Sequence, residues 1–162
     1  MPYSPELTTL GFVVSQDREH VLMVHRISRS DDEQLGKWNG LGGKVEIGED
    51  IWSGMARELR EEAGIEVVSM RLRGTVSWPG FHADGASVFG FVFIVDEWIG
   101  DIPERNAEGP LVWQPISGLA DLPMWEGDRY FLPQTFDPEV EQFHLVIPYQ
   151  DGRPLGWSGV VR

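Results

Sequence analysis

Three glutamates near the middle of the chain have a type and spacing that suit metal chemistry. Glu58, Glu61 and Glu62 stand at positions i, i+3 and i+4, which bring side chains to the same side of an α-helix. Divalent cations such as Mg²⁺ and Mn²⁺ prefer carboxylate oxygens as ligands, so such a cluster is typical of a cation site. The alternative is a solvated acidic face that is partly relieved by Arg57 and Arg60. The three residues alone do not separate these interpretations.

The helix that must position the glutamates is predicted from Asp50 to Ala63. Apolar residues recur along it at helical spacing, which indicates one buried side. They are Ile51, Trp52, Met55, Ala56, Leu59 and Ala63. Gly64 follows directly, in the position where a glycine ends many helices. The glutamates fall at the margin of the apolar stripe, so we expect their carboxylates at the border between core and solvent.

The rest of the chain reads mainly as strands placed before and after this helix. A second, short helix is predicted over 128–136. The predicted strands are Leu10–Ser15, His20–Ile27, Val67–Trp78, Ala86–Trp98, Leu111–Pro115 and Glu141–Tyr149. This order lacks the regular alternation of strand and helix in a doubly wound fold, so it predicts a mixed α/β (α+β) sandwich.

A longer pattern surrounds the three glutamates. Residues 43–65 read GKVEIGEDIWSGMARELREEAGI, which matches the Nudix box G-x5-E-x7-R-E-U-x-E-E-x-G-U at every specified position, where U is apolar. The chain therefore resembles the Nudix hydrolase family, whose members hydrolyse a pyrophosphate bond in a nucleoside diphosphate linked to another group. The resemblance implies the Nudix fold, a mixed β-sheet sandwiched between α-helices, with the box as a loop–helix–loop.

The resemblance also implies a role for each residue of the box. The three glutamates are expected to bind Mg²⁺, or Mn²⁺, together with the backbone carbonyl of Gly42. Either Glu61 or Glu62 is expected to deprotonate the attacking water, and the choice between them stays open. Glu49 and Arg57 are expected to pair and so orient the helix and loop. A polyphosphate and a chain of net charge −13 repel each other, so a bound divalent metal is expected to reduce this repulsion.

The glycine-rich stretch before the box narrows the range of expected substrates. Residues 37–45 read KWNGLGGKV and resemble the loop of MutT-like enzymes, which hydrolyse oxidised purine nucleoside triphosphates, notably 8-oxo-dGTP. By this resemblance, Asn39 reads the edge of the purine, since an amide offers both a donor and an acceptor. The alternative is that Asn39 is only a turn residue before Gly40.

A second stretch resembles the same enzymes but departs from them at one position. Residues 124–131 read MWEGDRYF, where those enzymes have a base-stacking tryptophan followed by a pair of carboxylates. Trp125 matches the tryptophan and Asp128 matches one carboxylate, whereas Gly127 stands at the other position. Glu126 is a candidate substitute. An ordinary core position is the alternative for Trp125, because the chain has seven tryptophans.

Three further residues are candidates from their charge and place. Glu108 matches another metal-binding glutamate of the same enzymes. Lys44 and Arg26 are candidates to hold the substrate phosphates, since basic residues are few near the box. The four histidines show no ligand spacing, so no role is predicted for them; they are His20, His25, His82 and His144.

The composition excludes several classes of protein. Of 162 residues, 13 are Lys or Arg and 26 are Asp or Glu, which gives the net charge of −13. This charge repels the phosphate backbone, so we expect no extended nucleic-acid surface. The absence of cysteine excludes disulfides and thiolate metal sites.

Nothing in the sequence indicates secretion or insertion into a membrane. The N-terminus lacks the basic and apolar regions of a signal peptide. The longest apolar run, Val88–Val95, is interrupted by Gly90 and is too short to span a bilayer. We therefore expect a single cytoplasmic domain, residues 1–162, that acts on a small nucleotide as a monomer or weak homodimer.

Three other functions stay open at this point. The first is hydrolysis of ADP-ribose, because Pro79 lies where hydrolases of ADP-ribose often carry a proline. Trp78-Pro79-Gly80 also reads as a simple turn. A pyrophosphohydrolase of RNA 5′ ends is disfavoured by the net charge. A non-catalytic nucleotide sensor is disfavoured because the glutamates of the box are intact.

Overall fold

Two helices pack on opposite faces of a six-stranded mixed β-sheet. The computed structural model describes all 162 residues. Its α-helices are α1 (Ile51–Ala63) and α2 (Asp128–Phe136), and a 3₁₀-helix spans Ile116–Asp121. In chain order, the strands are β1 (Glu6–Val13), β2 (His20–His25), β3 (Trp38–Asn39), β4 (Leu41–Lys44), β5 (Glu66–Trp78), β6 (Val88–Ile99), β7 (Arg105–Asn106), β8 (Gly109–Pro115), β9 (Phe143–Val146), β10 (Tyr149–Gln150), β11 (Arg153–Pro154) and β12 (Ser158–Val161).

The large sheet has the strand order β12-β9-β5-β6-β1-β4. The pairs β1–β6 and β5–β9 are parallel and the other pairs are antiparallel, so the sheet is mixed. A second, antiparallel sheet has the order β3-β2-β8-β7, and β10 pairs with β11 in a hairpin. The expected α+β fold, with a mixed sheet between α-helices, is confirmed.

The alternation of side chains along β1 shows how the sheet separates two cores. Phe12 packs in the apolar cluster that contains Phe131 of α2, and Val13 packs in the cluster that contains Leu59 of α1. All four side chains are essentially inaccessible to solvent. Each fully buried side chain of this size contributes roughly 1.5–3 kcal/mol of hydrophobic stabilisation, so both helices are firmly attached to the sheet.

Helix α1 begins and ends close to where the sequence predicts. Asp50 is its N-cap, because the Asp50 Oδ1 atom accepts a hydrogen bond from the Ser53 N–H at 2.8 Å. Gly64 ends the helix with a left-handed backbone, at φ +66°. The buried stripe is narrower than predicted, since Trp52 in the first turn is 44% exposed. The helix nevertheless has the expected orientation, with Leu59 fully buried.

The glycine-rich stretch divides between the two sheets. Strand β3 joins the second sheet and β4 joins the large sheet, where it pairs with β1. Strands β1 and β2 also lie in different sheets, and beyond their turn only the bridge from Val14 to Val21 links them. The sequence does not predict β3 or β4, because glycine has a low β-propensity and only pairing across the fold defines them.

The C-terminal strands differ from the predicted pattern. The expected last strand over 141–149 forms as β9 and β10, and the chain then continues into β11 and β12. Pro148 lies between β9 and β10 and lacks an N–H donor, which explains the break. Neither α-helix combines the length and the hydrophobicity that crossing a membrane requires.

Candidate active site

Strand β4 brings the glycine-rich stretch against the acidic side of α1. The Gly42 N–H donates a hydrogen bond to the Glu62 Oε2 atom at 3.1 Å. A Cβ atom added at Gly43 would lie 2.5 Å from the Glu58 Oε1 atom, and one added at Gly42 would overlap the Thr9 carbonyl. Glycine at both positions therefore allows β4 to lie between β1 and the carboxylates of α1.

Arg57 is the centre of an ion-pair network that joins the loop to the helix. It binds Glu49 through two hydrogen bonds, from Nε to Oε2 at 2.6 Å and from Nη2 to Oε1 at 3.0 Å. Its Nη1 atom contacts Glu58 at 3.0 Å and Glu61 at 3.2 Å. Its Nη2 atom also donates to the Lys44 carbonyl at 3.1 Å. These contacts orient the helix and the loop relative to each other.

Glu62 has the most perturbed acidity among the box glutamates. Its removal from bulk water, together with the nearby charges of Glu108 and Glu58, raises the pKa of Glu62 to about 8. Burial also raises the pKa of Glu58, although Arg57 opposes this effect. Asn106 fixes the acidic loop beside the helix: its Nδ2 atom donates to the Glu62 carbonyl at 3.3 Å, and its Oδ1 atom accepts from the Glu108 N–H at 2.9 Å.

The expected metal ligands have suitable chemistry, but they do not surround a common point. No group of three or more His, Cys, Asp or Glu side chains is arranged to hold a metal ion. Arg57 draws Glu58 and Glu61 towards itself, and the Gly42 N–H, rather than its carbonyl, contacts Glu62. The donor set is nevertheless entirely oxygen, and a divalent cation would relieve the repulsion that raises the pKa of Glu62.

Both cations expected to hold phosphates are already paired with carboxylates. Arg26 binds Asp32 through Nε and Glu108 through Nη1, each at 2.7 Å. Lys44 is 74% exposed and its Nζ atom lies 3.3 Å from the Glu6 carboxylate. The structure therefore places Arg26 beside the acidic loop, where it fixes Glu108, and leaves Lys44 at the surface.

A cavity of about 170 Å³ opens beside the glycine-rich strand. Asn39, Trp125 and Asp128 all line it, although Asn39 lies far from the other two in the chain. Glu126 is exposed and does not line it, so Glu126 does not replace the carboxylate that is missing at position 127. The other lining residues are Glu6, Thr8, Thr9, Leu10, Arg26, Gln34, Gly40, Gly42, Gly43, Trp78, Phe81, His82 and Val88.

Three of the residues that line this cavity each carry a buried side-chain N–H donor with no hydrogen-bond partner. The donors are the Asn39 Nδ2, Trp78 Nε1 and Trp125 Nε1 atoms, and no other buried side-chain nitrogen or oxygen in the chain lacks a partner. Such groups are rare in folded proteins because each costs folding free energy, so their concentration at one cavity indicates a ligand site. No motif identifies Trp78, which is one of seven tryptophans in the sequence and lies at the end of β5.

Lys37 and Asp128 add charges close to Trp125. The Lys37 Nζ atom lies 4.6 Å from the centre of the Trp125 ring, in a cation–π contact. Lys37 itself does not line the cavity. Burial raises the pKa of Asp128 to about 7, against the opposing charges of Arg129 and Lys37.

The raised pKa of Asp128 predicts a pH-dependent loss of stability. Between its ordinary value of 3.8 and about 7, the folded chain retains a proton that the unfolded chain releases, so stability falls as the pH rises. We expect the melting temperature of Asp128→Asn, relative to the wild type, to increase from pH 4 to pH 7 and then to level off. Differential scanning calorimetry across this range measures the difference in melting temperature, and a difference that is independent of pH would contradict the raised pKa of Asp128.

Comparisons with known proteins agree with this geometry. A family model described as "NUDIX domain" matches residues 5–135. The uncharacterised Nudix hydrolase YvcI of Bacillus subtilis (strain 168) is 31% identical over 74% of this chain and 73% of its own length. An oxidized purine nucleoside triphosphate hydrolase of Mus musculus is 33% identical over 72% of this chain and 73% of its own length.

A solved structure extends the similarity to nearly the whole chain. The crystal structure of a MutT protein from Bacillus halodurans superposes with a TM-score of 0.81 at 27% identity, and the match covers 94% of this chain and 96% of that one. The chain therefore belongs to the Nudix hydrolase family, whose enzymes hydrolyse pyrophosphate bonds in small nucleotide derivatives and generally use divalent metal ions.

Proposed function

We propose that this enzyme hydrolyses oxidised purine nucleoside triphosphates, such as 8-oxo-dGTP, to the monophosphate and pyrophosphate with Mg²⁺ as its metal. The observation that carries the proposal is that Asn39, Trp78 and Trp125, which all line one cavity beside the glycine-rich strand, each carry an unpartnered buried N–H donor. The Mus musculus relative, which carries the name of this activity, supports it.

The chemistry of the cavity favours an oxidised guanine over other bases. Oxidation at C8 gives guanine a second carbonyl oxygen and an additional N–H, so the base has two carbonyl acceptors for buried donors such as Asn39 and Trp78. Asp128, with a pKa of about 7, exists in both ionisation states near neutral pH and can accept from or donate to the base. Unoxidised guanine has an acceptor at N7 in place of that N–H and no oxygen at C8, so groups placed for the oxidised edge are left unpaired and oppose its binding.

The position of the cavity suits a triphosphate bound along the glycine-rich strand. Gly42 and Gly43 line its edge and carry the contacts to the box glutamates, so phosphates leaving the cavity along β4 reach α1. There the three glutamates, with Glu108, would hold Mg²⁺ or Mn²⁺, which neutralises phosphate charge and orients the scissile bond. Either Glu61 or Glu62 accepts the proton of the attacking water, and Arg57 holds the helix and loop in place.

ADP-ribose is the alternative substrate, but no residue of the cavity favours it. Pro79 does not line the cavity. It belongs to a turn whose Gly80 has φ +72°, and the Pro79 carbonyl accepts a hydrogen bond from the Tyr149 N–H at 2.8 Å. Pro79 therefore has a sufficient explanation in the fold.

A substrate panel tests the proposed function directly. Hydrolysis of 8-oxo-dGTP, dGTP, ADP-ribose and dinucleoside polyphosphates is measured with Mg²⁺, with Mn²⁺ and with a chelator. We expect kcat/KM for 8-oxo-dGTP to exceed that for dGTP by roughly tenfold or more, and activity to disappear with the chelator. If ADP-ribose were the best substrate, the proposal would be wrong.

Asn39→Ala and Trp125→Ala test whether the cavity binds the base. Each variant removes a contact to the base but leaves the box unchanged, so we expect KM for purine triphosphates to rise by roughly tenfold while kcat falls less. Trp52→Ala is the matched control, because Trp52 lies on the exposed side of α1. An unchanged KM in both cavity variants would remove these residues from the base site.

We further propose that residues 1–162 form a single Nudix domain that acts as a monomer or weak homodimer. Its small nucleotide substrate would come from the cytoplasmic nucleotide pool. The net charge of −13 supports a substrate held through a metal rather than an extended nucleic acid.

A further inference from the structure

The backbone conformation at position 127 does not require a glycine. It stands directly before α2, with φ −67° and ψ −21°, which is ordinary right-handed helical geometry. Any L-amino acid adopts these angles without strain. The glycine at this position therefore needs an explanation other than conformational freedom.

The space around Gly127 supplies that explanation. A Cβ atom added there would lie 2.5 Å from the Tyr149 Oη atom and 3.0 Å from the Ile147 Cγ2 atom. Tyr149 and Ile147 are both buried, at 5% and 0% exposure, so neither can move into solvent to make room. Tyr149 therefore occupies the volume that a side chain at position 127 would need.

Tyr149 makes polar contact with the start of α2. Its Oη atom accepts a hydrogen bond from the Gly127 N–H at 2.9 Å, and the hydroxyl proton remains available as a donor. Burial and the adjacent Asp128 carboxyl both raise the pKa of Tyr149, so the phenol stays protonated. A neutral hydroxyl thus contacts the residue directly before Asp128, which is one of the two acidic residues that line the cavity.

Tyr149 also packs against the aromatic wall of the cavity. Its ring centre lies 5.8 Å from that of Trp125 and 5.1 Å from that of Phe81, both in edge-to-face geometry. Phe81 and Trp125 are themselves 4.8 Å apart. Both Trp125 and Phe81 line the cavity, so Tyr149 supports them from behind.

We propose that Tyr149 is a positioning residue for Trp125 and Asp128, and that its hydroxyl takes the place of a side chain at position 127. Asp128 is then preceded by a residue without a side chain, and Tyr149 holds the start of α2, which carries Asp128, through the Gly127 N–H. This inference rests on the proposed function, because it requires the cavity to bind the base. It explains why Gly127 and Tyr149 occur together in this chain.

A kinetic experiment tests the positioning role. Tyr149→Phe removes only the hydroxyl, so we expect KM for the best substrate of the panel to rise by roughly fivefold to tenfold, with kcat nearly unchanged. Tyr130→Phe on α2 is the matched control, since the Tyr130 side chain does not line the cavity. An unchanged KM in Tyr149→Phe, or the same rise in Tyr130→Phe, would overturn the role.

A thermal unfolding cycle tests the steric link without any substrate. We expect Gly127→Ala to lower the melting temperature by roughly 4 °C or more in the wild type, and by less than half as much in the Tyr149→Phe background. Equal decreases in the two backgrounds would show that Tyr149 does not exclude a side chain at position 127. Because unfolding does not depend on the substrate, a failure of the oxidised-purine proposal would leave this result unaffected.

Discussion

Glu62→Gln is expected to lower kcat by roughly 10² to 10⁴-fold while the fold stays intact. The amide has the size of the carboxyl and its oxygen still accepts the hydrogen bond from the Gly42 N–H. It lacks the negative charge that both proposed roles of Glu62 require, as a metal ligand and as a base. It also removes the repulsion with Glu108 and Glu58, so the melting temperature without added metal should not fall.

Steady-state hydrolysis against Mg²⁺ concentration, with thermal unfolding of the same samples, measures both effects. Glu66→Gln is the matched control, because Glu66 is 58% exposed and only pairs with Arg60 at 3.4 Å. Glu61→Gln belongs in the same series, since either glutamate can be the base. Normal Mg²⁺-dependent hydrolysis by both Glu61→Gln and Glu62→Gln would contradict the metal site.

Arg57→Ala is expected to lower kcat/KM by roughly 10²-fold and stability by about 2 kcal/mol. Arg57 binds Glu49 through two hydrogen bonds and contacts Glu58, and these carboxylates are only 16% and 13% exposed. Without the guanidinium they remain partly buried with no cation near them. Arg57→Lys keeps the charge but not the planar pair of donors, so we expect an intermediate loss.

Urea denaturation followed by kinetics on the same variants checks this second prediction. Arg60→Ala is the control, because Arg60 lies on the same helix, is 49% exposed and makes only a surface ion pair. If Arg57→Ala were as stable and as active as Arg60→Ala, the network would not organise the site.

Helix α1 was predictable because the sequence signals that define it are local. The Asp50 cap, the spacing of Met55 and Leu59 and the terminal Gly64 all act within one or two turns, and α1 forms within one residue of the prediction. The bounds of α2 agree with the predicted 128–136. In contrast, β3 and β4 are defined by pairing with strands elsewhere in the chain. Glycine has a low β-propensity, so the glycine-rich sequence does not indicate these strands.

The cavity was only partly predictable for the same reason. Asn39, Trp125 and Asp128 had motifs to identify them, whereas Trp78 reaches the cavity through the pairing of β5 in the large sheet. The partners of the basic residues were also hidden. The chain has 13 basic and 26 acidic residues, so a basic side chain such as Arg26 or Lys44 is expected to lie near some carboxylate. Only the structure shows which carboxylate each of them contacts.

The three unpartnered donors lower the stability of the folded chain at the cavity that is proposed to bind the base. Each buried N–H without an acceptor costs roughly 1–3 kcal/mol, so an apolar side chain of similar shape at Asn39, Trp78 or Trp125 would favour the folded chain. Selection for thermal robustness alone would therefore replace these residues first. Under the proposed function, these donors lower stability but discriminate between bases, so engineering for heat tolerance should leave the three residues unchanged.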